Sequence, residues 1–477
     1  MKKNSIDLVP VILAGGVGER LWPISRHSRP KQFAEIFDKT LFEKTLDRVK
    51  ALNSIYKPIV ITNFEYRFIV KELSEKNKTK IDSIILEPTP KNTAPAFLLA
   101  SLNVLKVHGN KNILFLPSDH IMKDDNAFVK LINRSINFLN DKNIITFGIQ
   151  PREKNSEYGY IEIDQKQKNS TKPNNVKKFI EKPKNKLLDK IHANKNFFWN
   201  SGIYFCKASV IDQLTQEFDP ILYDLTSKAY KNKKNEFDCD LVSEKYFRKI
   251  KPISIDYAVM EHAKNLLLVK FNSIWSDLGS WNSINQYVKK DNNLNFKKGD
   301  VILHQSKNSM VFSESRLCVL SNVDDLIIID CRDVLFVTKN NQGGDKVKEL
   351  LKFLSDKYRK EVEEYPVIKR PWGYYEVFIV GQNYLVKKIL IKPKSSISLQ
   401  KHRFRSEHWV VVSGKGKFYL NKDVIHIKIN ESIYIPKGKK HKIENIGSKD
   451  LIIVEVQTGS HLSEDDIIRY SDNYGRT

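Results

Sequence analysis

The chain has only four cysteines in 477 residues, and no two form a C-x-x-C pair. Cys206, Cys239, Cys318 and Cys331 lie far apart. That excludes a disulfide framework and reads as reduced, mostly buried thiols of a cytoplasmic protein. No apolar stretch is long enough to cross a membrane. Met1-Lys2-Lys3 before an apolar run has the outline of a signal peptide. Asp7 and Pro10 interrupt that run and a glycine-rich loop follows directly, so no secretory leader is expected. No short tract is dense enough in Lys and Arg to act as a nucleic-acid arm, although the net charge is +24. The basic residues are scattered over solvated faces, and their summed field attracts phosphorylated substrates. What remains is ordinary globular composition, 41% hydrophobic and 10% aromatic, in a chain long enough for two or three domains.

The most informative stretch is Val9 to Phe33, VPVILAGGVGERLWPISRHSRPKQF. An apolar run, Val9 to Leu13, reads as a buried strand. Gly15, Gly16 and Gly18 follow at once. Three glycines in four positions let backbone N–H groups approach phosphate oxygens. Arg20 and Lys31 add positive charge to the same mouth. No Gly-Lys-Ser/Thr closes the loop, so it is not a Walker A loop, and the third glycine of the dinucleotide fingerprint is absent.

From Val9 to about Tyr287, short apolar runs alternate with amphipathic stretches. Strands are expected at Pro58 to Thr62, Ser83 to Leu86, Ile113 to Leu116 and Ile144 to Phe147. Helices are expected at Thr93 to Lys106 and Ala127 to Asn140. This rhythm predicts a mostly parallel, Rossmann-like α/β sheet, with ligands at the carboxyl ends of its strands. Between Gly299 and Thr338 short β pieces recur. A charged helix, Gly344 to about Glu364, reads as a linker. From Pro371 the pattern is all-β, that of a jelly-roll barrel.

Two carboxylates fall at strand ends or loops of the first half: Asp119, after the run Ile113 to Leu116, and Asp277, within Trp275-Ser276-Asp277-Leu278-Gly279-Ser280-Trp281. Distant carboxylates so placed can share one Mg²⁺. An aspartate after a strand is often only a helix cap. The spacing Gly16-x-Gly18-x-Arg20-x-x-Pro23 with Pro30-Lys31 resembles the activating loop of sugar-nucleotide pyrophosphorylases. Leu21-Trp22-Pro23, Lys31-Gln32-Phe33, Pro117-Ser118-Asp119-His120 and the Trp275 to Trp281 motif narrow the resemblance to mannose-1-phosphate guanylyltransferases. Glu19 and Lys91 depart from the Thr and Arg usual there.

The resemblance implies a Mg²⁺ site at Asp119 and Asp277. It implies nucleotide contacts at Gly15, Gly16, Gly18, Glu87 and Asn92, and a sugar pocket at Gly159, Glu181, Asn200 and Ser201. Lys182 would neutralise the sugar phosphate, and Arg20 and Lys31 would hold the departing phosphates. The same likeness makes the β pieces after the sheet a short left-handed β-helix; an ordinary β-meander is the rival.

The densest polar cluster is Ser398 to Trp409, SLQKHRFRSEHW, with Pro436 to His441 about one sheet-width later. On a strand Gln400 and His402 share one face, and His408 falls opposite Glu407. With Glu407 and His441 they make an N/O set with open positions, suited to Zn²⁺ or Co²⁺. The spacing resembles the two cupin motifs. Arg370-Pro371-Trp372-Gly373, Arg405-Ser406-Glu407-His408-Trp409 and Tyr434-Ile435-Pro436 resemble the type II mannose-6-phosphate isomerases. That likeness implies that Arg405 stabilises an enediolate or binds phosphate. Lys387 is a second phosphate ligand or a guess at the general base.

The two resemblances together imply the bacterial bifunctional mannose-1-phosphate guanylyltransferase/mannose-6-phosphate isomerase family. The expected parts are a transferase domain at 1–290, a β-helix segment at 291–343, a helical linker at 344–364 and a cupin domain at 365–477. The expected small molecules are GTP, mannose 1-phosphate, mannose 6-phosphate and fructose 6-phosphate. No nucleic acid or membrane partner is expected, and self-association into a homo-oligomer stays open. Two rivals stand beside this reading: a guanylyltransferase with a non-catalytic cupin scaffold, and a sugar-nucleotide-binding regulatory protein.

Overall fold

The computed structural model describes residues 5–164, 172–340, 346–357 and 359–471. The Met1-Lys2-Lys3 start, the end of the β-helix segment at 341–343 and the expected helix start at Gly344 lie outside the described residues. The chain divides into two units, at Val362 and Glu363.

In the first unit the apolar run forms β1 (Val9–Leu13), at the centre of a sheet. β2 (Ile59–Asn63), β3 (Ser83–Glu87) and β4 (Asn112–Pro117) join it in the order β3-β2-β1-β4, all parallel. Alternate residues of β1 enter opposite cores: Val9 and Val11 on one face, Ile12 on the other. A strand buried on both faces must be a continuous apolar run, and β1 is. The helix Thr93–Val107 covers the first face with Ala94, Phe97, Leu99 and Val104.

Beyond β4 the sheet departs from the expected mostly parallel form. Phe197–Lys207 pairs antiparallel with β4 and with Ile144–Ile149. Tyr160–Ile163 and Asn174–Ile180 pair antiparallel with each other. These last two strands are too close in sequence for a parallel crossover, which needs a dozen or more residues. The result is a mixed eleven-stranded sheet. The reversal has a use. A strand antiparallel to β4 begins where β4 ends. Tyr204 faces Phe115, so Asn200, Ser201 and Gly202 reach the carboxyl end of β4. A Cβ on Gly202 would lie 3.6 Å from Pro117.

The β pieces that follow stack in parallel. Phe296–Lys298, Met310–Ser313 and Leu326–Asp330 form one ladder, and Val301–His304 with Cys318–Ser321 a second. Parallel rungs exclude a β-meander; only the last strand, Leu335–Lys339, returns antiparallel. The helix Lys346–Ser355 is not a free linker. Val347 and Leu351 share one buried cluster with Leu21, Trp22, Trp281, Phe312 and Ile329. The Trp281 indole donates to the Trp22 carbonyl at 2.9 Å, and the Trp22 indole to the Glu361 carbonyl at 2.8 Å. Arg26, fully buried, forks onto both oxygens of Asp333 at 2.5 and 2.7 Å. The described residues at 291–340, 346–357 and 359–362 therefore belong to the transferase body.

The second unit is all antiparallel. Six strands, including Tyr384–Ile391, Leu451–Gly459 and Arg405–Ser413, form one sheet. Five, including Leu399–His402 and His441–Asn445, form the other. Their facing residues, among them Trp372, Ile391, Trp409, Phe418 and Ile453, make one core. Cys206, Cys239 and Cys331 are buried free thiols, and Cys318 is half-buried. No helix of the described residues is long and apolar enough to cross a membrane.

Because that core is self-contained, a chain beginning at Glu363 should express as a soluble protein with one cooperative thermal transition. Leu351→Ala in the full chain should cost the first unit about 2–4 kcal/mol and leave the second unit's transition unmoved. Calorimetry of the fragment and the variant checks both; an insoluble fragment, or an unmoved first transition, contradicts the division.

Candidate active site and candidate metal centre

A cavity of about 540 Å³ opens at the carboxyl ends of β1, β3 and β4. Gly15, Gly16, Glu87, Asn92 and Asp119 line it, together with Gly159, Glu181, Lys182, Asn200, Ser201 and Asp277. Most of the expected transferase residues thus meet around one space. Gly18 does not line it; Gly18 shapes the loop. Its φ is +71°, and a Cβ there would sit 2.4 Å from the Lys31 Cβ.

Lys31 is nearly buried. Its ammonium lies 2.7 Å from Asp119 Oδ2 and donates to the Asp277 carbonyl at 2.6 Å. Burial opposes ionisation of Asp119, but the charges of Lys31 and His120 override it and hold the carboxyl below its usual range. Asp277 Oδ1 accepts from the Tyr158 hydroxyl at 2.8 Å and from the Gly279 N–H at 2.9 Å. Two anionic oxygen donors on one cavity wall fit a hard divalent cation such as Mg²⁺, with Lys31 as the cation now beside Asp119.

Arg20 is placed differently from expectation. It lines an adjoining cavity of about 500 Å³ that shares Glu157, Tyr158, Trp275 and Asp277 with the first. Glu157 holds its guanidinium at 3.0 Å, and Asp277 Oδ2 lies 4.0 Å away. Arg20 thus bridges two carboxylates that line both cavities. Glu19 is exposed and does not line the cavity. Lys91 lines the first cavity and donates to the Arg248 carbonyl at 2.8 Å.

Glu87 is buried and one of its oxygens has no partner. Burial pushes its carboxyl up to about 8. Asn92 spends its side-chain oxygen on the Thr93 N–H, capping the helix. Glu181 approaches Gly159 so closely that a Cβ there would lie 2.4 Å from its Oε2, so any larger residue would displace that carboxylate. Burial and the neighbouring Asp256 push Glu181 up to about 7, against Lys182 at 3.3 Å. Asn200 lines the cavity, and its amide bonds to Tyr204, Asp256 and Gly202.

In the second unit strand alternation puts Arg405, Glu407 and Trp409 inward and His408 outward, where its ring lies 4.6 Å from Tyr434. His402, Glu407 and His441 offer ligand atoms within 4.8 Å of one another, the one such cluster among the described residues. His402 Nε2 is 3.1 Å from Glu407 Oε1, and His441 Nε2 is 3.4 Å from Oε2. Both imidazole Nε2 atoms are buried without a hydrogen-bond partner, a state that a metal ion would relieve. His441 Nδ1 lies 3.1 Å from the Lys439 carbonyl, leaving Nε2 free to ligate. Gln400 stands opposite His441 in the ladder, and its Oε1 accepts from Ser398.

Burial opposes the charge on Glu407, but the facing His402 and His441 imidazoles hold it well below the usual range. Arg405 donates to Glu407 at 3.1 Å and to the Ser463 carbonyl at 2.8 Å, so it braces the centre. Lys387, the guessed general base, is held in its protonated form. Glu455 and Glu464, 3.5 and 2.9 Å away, override its burial and keep it protonated.

Sequence reasoning missed Asp256, Glu157, Tyr158, Glu455 and Gln457. For the last two a signal exists. In Leu451–Gly459 they fall on the same inward parity as Leu451 and Ile453, where a carboxylate and an amide are out of place unless used. Glu455 accepts from the Trp409 indole at 3.0 Å; burial and the Glu407 charge push it up to about 7.

A glycine loop and two carboxylates at the ends of a sheet define a nucleotidyltransferase, here followed by a jelly-roll unit with a metal-type centre. A family model described as nucleotidyl transferase matches residues 9–293, and one described as mannose-6-phosphate isomerase C-terminal matches 357–472. The mannose-1-phosphate guanylyltransferase of Salmonella montevideo is 38% identical, covering 98% of this chain and 100% of its own. Mannose-1-phosphate guanylyltransferase 2 of Escherichia coli O157:H7 is 36% identical, covering 99% of each. Among solved structures, the mannose-1-phosphate geranyltransferase of Thermus thermophilus superposes with a TM-score of 0.65 at 25% identity, over 73% of this chain and 100% of that one. The chain belongs to the mannose-1-phosphate guanylyltransferase family.

Chelated and dialysed protein should take up one Co²⁺ in a tightly bound, spectrally distinct site. Removing either His402 or His441 as Ala should weaken that site by at least ~100-fold. Titration by visible absorption reads this without any activity; an unchanged spectrum in His441→Ala moves the centre elsewhere.

Proposed function

We propose that the first unit joins GTP and mannose 1-phosphate into GDP-mannose with release of pyrophosphate, and that the second unit interconverts mannose 6-phosphate and fructose 6-phosphate, both in the cytoplasm. The observation that carries the first half is the meeting of Asp119, Asp277, Glu87 and Glu181 around one cavity, with Lys31 bonded to Asp119 and to the Asp277 carbonyl. The phosphate oxygen of the sugar attacks the α-phosphorus, the bond to the β-phosphate oxygen breaks, and pyrophosphate leaves. No protein nucleophile is required; positioning and charge neutralisation carry the rate.

Backbone N–H groups of Gly15 and Gly16 face the triphosphate. Glu87 accepts from the donor edge of guanine. Asp119 and Asp277 would hold Mg²⁺, which would supply charge neutralisation to phosphate oxygens. Lys31 supplies a fixed cation on the same wall, Lys182 meets the sugar phosphate, and Arg20 faces the departing pyrophosphate from the adjoining cavity.

In the second unit Gln400, His402, Glu407 and His441 would hold Zn²⁺ or Co²⁺, which polarises the oxygens of an enediol. Arg405 orients Glu407, and Lys387 offers a permanent cation for the substrate phosphate. One observation favours the rival reading of a non-catalytic scaffold. The space beside Lys387, Gln400, Arg405 and Glu455 is about 40 Å³, room for a few waters and no hexose phosphate. A coupled isomerase assay on the metal-loaded full chain decides between them.

Asp119→Ala or Asp277→Ala should lower GDP-mannose formation by more than ~1,000-fold and leave isomerase activity intact. Pyrophosphate release beside the coupled assay checks this, and near-normal turnover in Asp277→Ala removes the assignment.

A raised Glu87 pKa means that the free protein keeps this carboxyl protonated up to about pH 8. Guanine donors require the ionised form. The KM for GTP should therefore fall as pH rises toward about 8, by at most about tenfold per unit, and level off above. Glu87→Gln should flatten the profile; a flat wild-type profile from about pH 6 to 9 takes Glu87 off the base.

A further inference from the structure

β1 leaves the sheet before its neighbour does. The register pairs Leu13 with Ile61, so Ala14 and Gly15 come beside Thr62 and Asn63, the last two residues of β2. β2 keeps its pairing with β3 to the end, Thr62 with Leu86 and Asn63 with Glu87. The Ala14 N–H still donates to the Ile61 carbonyl at 2.8 Å. Beyond it, side chains replace the ladder. The Ala14 carbonyl accepts from the Thr62 hydroxyl at 2.9 Å and from the Gln32 amide at 3.2 Å. The Gly15 carbonyl accepts from the Asn63 amide at 3.1 Å. The Gly16 carbonyl accepts from Gln32 at 2.8 Å, and the Val17 carbonyl from the Lys31 N–H at 3.0 Å.

The matching N–H groups are in the opposite state. Among the described residues, those of Gly15, Gly16, Val17 and Gly18 donate to no other group. In a planar trans peptide the N–H points away from its own C=O. Four carbonyls anchored to the protein therefore turn four consecutive N–H groups the other way. Gly15, Gly16 and Val17 line the cavity, and Gly18, at φ +71°, curls the chain around it. Successive N–H groups in such a bend make a concavity for an anion.

Asn63 stands apart among the anchors. The Ala14 carbonyl has two donors, and the Val17 carbonyl has a backbone one. The Gly15 carbonyl has the Asn63 amide alone among the described residues. Asn63 is buried and does not line the cavity. It also neighbours Glu87: a Cβ on Gly15 would lie 3.4 Å from Glu87 Oε2 and 3.8 Å from Asn63 Oδ1.

We infer that Asn63 is a positioning residue for the triphosphate: by holding the Gly15 carbonyl toward β2, it keeps the N–H groups of the glycine loop open to phosphate oxygens without touching the nucleotide. This rests on the guanylyltransferase reading and deepens it. Without that donor the peptide after Gly15 is free to rotate, and a carbonyl dipole turned to the cavity repels phosphate.

The test measures dissociation constants of the full chain for GTP, inorganic tripolyphosphate and guanosine, with Mg²⁺ present. Asn63→Leu keeps the volume and removes the donor; Asn63→Ala serves where the leucine variant melts early. In either variant the Kd for GTP and for tripolyphosphate should rise ~10-fold, while the Kd for guanosine stays within about twofold. A general loosening of the fold would weaken guanosine as well, because Glu87 is the cross-strand neighbour of Asn63. Unchanged binding of GTP and tripolyphosphate in both folded variants overturns the inference. So does a guanosine Kd that rises as much as that of GTP, which would put Asn63 on the base side. A wild-type protein that releases no pyrophosphate from GTP and mannose 1-phosphate overturns the guanylyltransferase reading instead, and the tripolyphosphate comparison still judges the loop.

Discussion

One ammonium group ties the transferase site together. Lys31 bonds to Asp119 and to the Asp277 carbonyl, so three segments remote in sequence converge on one nitrogen. Burying that charge is favourable only because both partners are in place. The backbone serves the same end: the Lys31 N–H donates to the Val17 carbonyl, and Gly18 leaves the space that the Lys31 stem fills. Loop, strand end and aspartate motif are thereby fixed relative to one another before any ligand arrives, which is the preorganisation that charge-driven phosphoryl chemistry needs.

Local pattern carried much of this. The continuous apolar run of β1, the glycines after it and the two-residue alternation around Glu407 are properties of short segments, and short segments are what a sequence displays. Alternation alone separates Glu407, pointing inward, from His408, pointing out. What stayed hidden depends on partners far along the chain. Asn200 bonds to Tyr204 and Asp256 and lies beside Thr146, and no spacing announces the meeting. Arg20 bridges Glu157 and Asp277. The direction of Phe197–Lys207 hides likewise, since strand composition does not encode its sense.

The two departures from family pattern are also settled by surroundings rather than residue type. Glu19 places a negative charge next to a phosphate loop, yet it is exposed and faces solvent. Lys91 replaces a planar fork with a point charge, and spends it on a backbone carbonyl at 2.8 Å. The charges that matter are the few held by neighbours, not the scattered surplus behind the net +24.

The two indole bonds, Trp281 to Trp22 and Trp22 to Glu361, run from the aspartate motif through the glycine-loop segment to the last residues of the first unit. Modularity in this chain therefore has one seam. Recombination that exchanged the jelly-roll for another partner would have to join downstream of Val362. A join at the end of the large sheet, near Tyr287, would strip away the stacked rungs and the short helix that close the core beneath Trp22. Lineages that shed or trade the isomerase-like half are expected to carry those rungs and that helix with them, as part of the inheritance of the active-site loop.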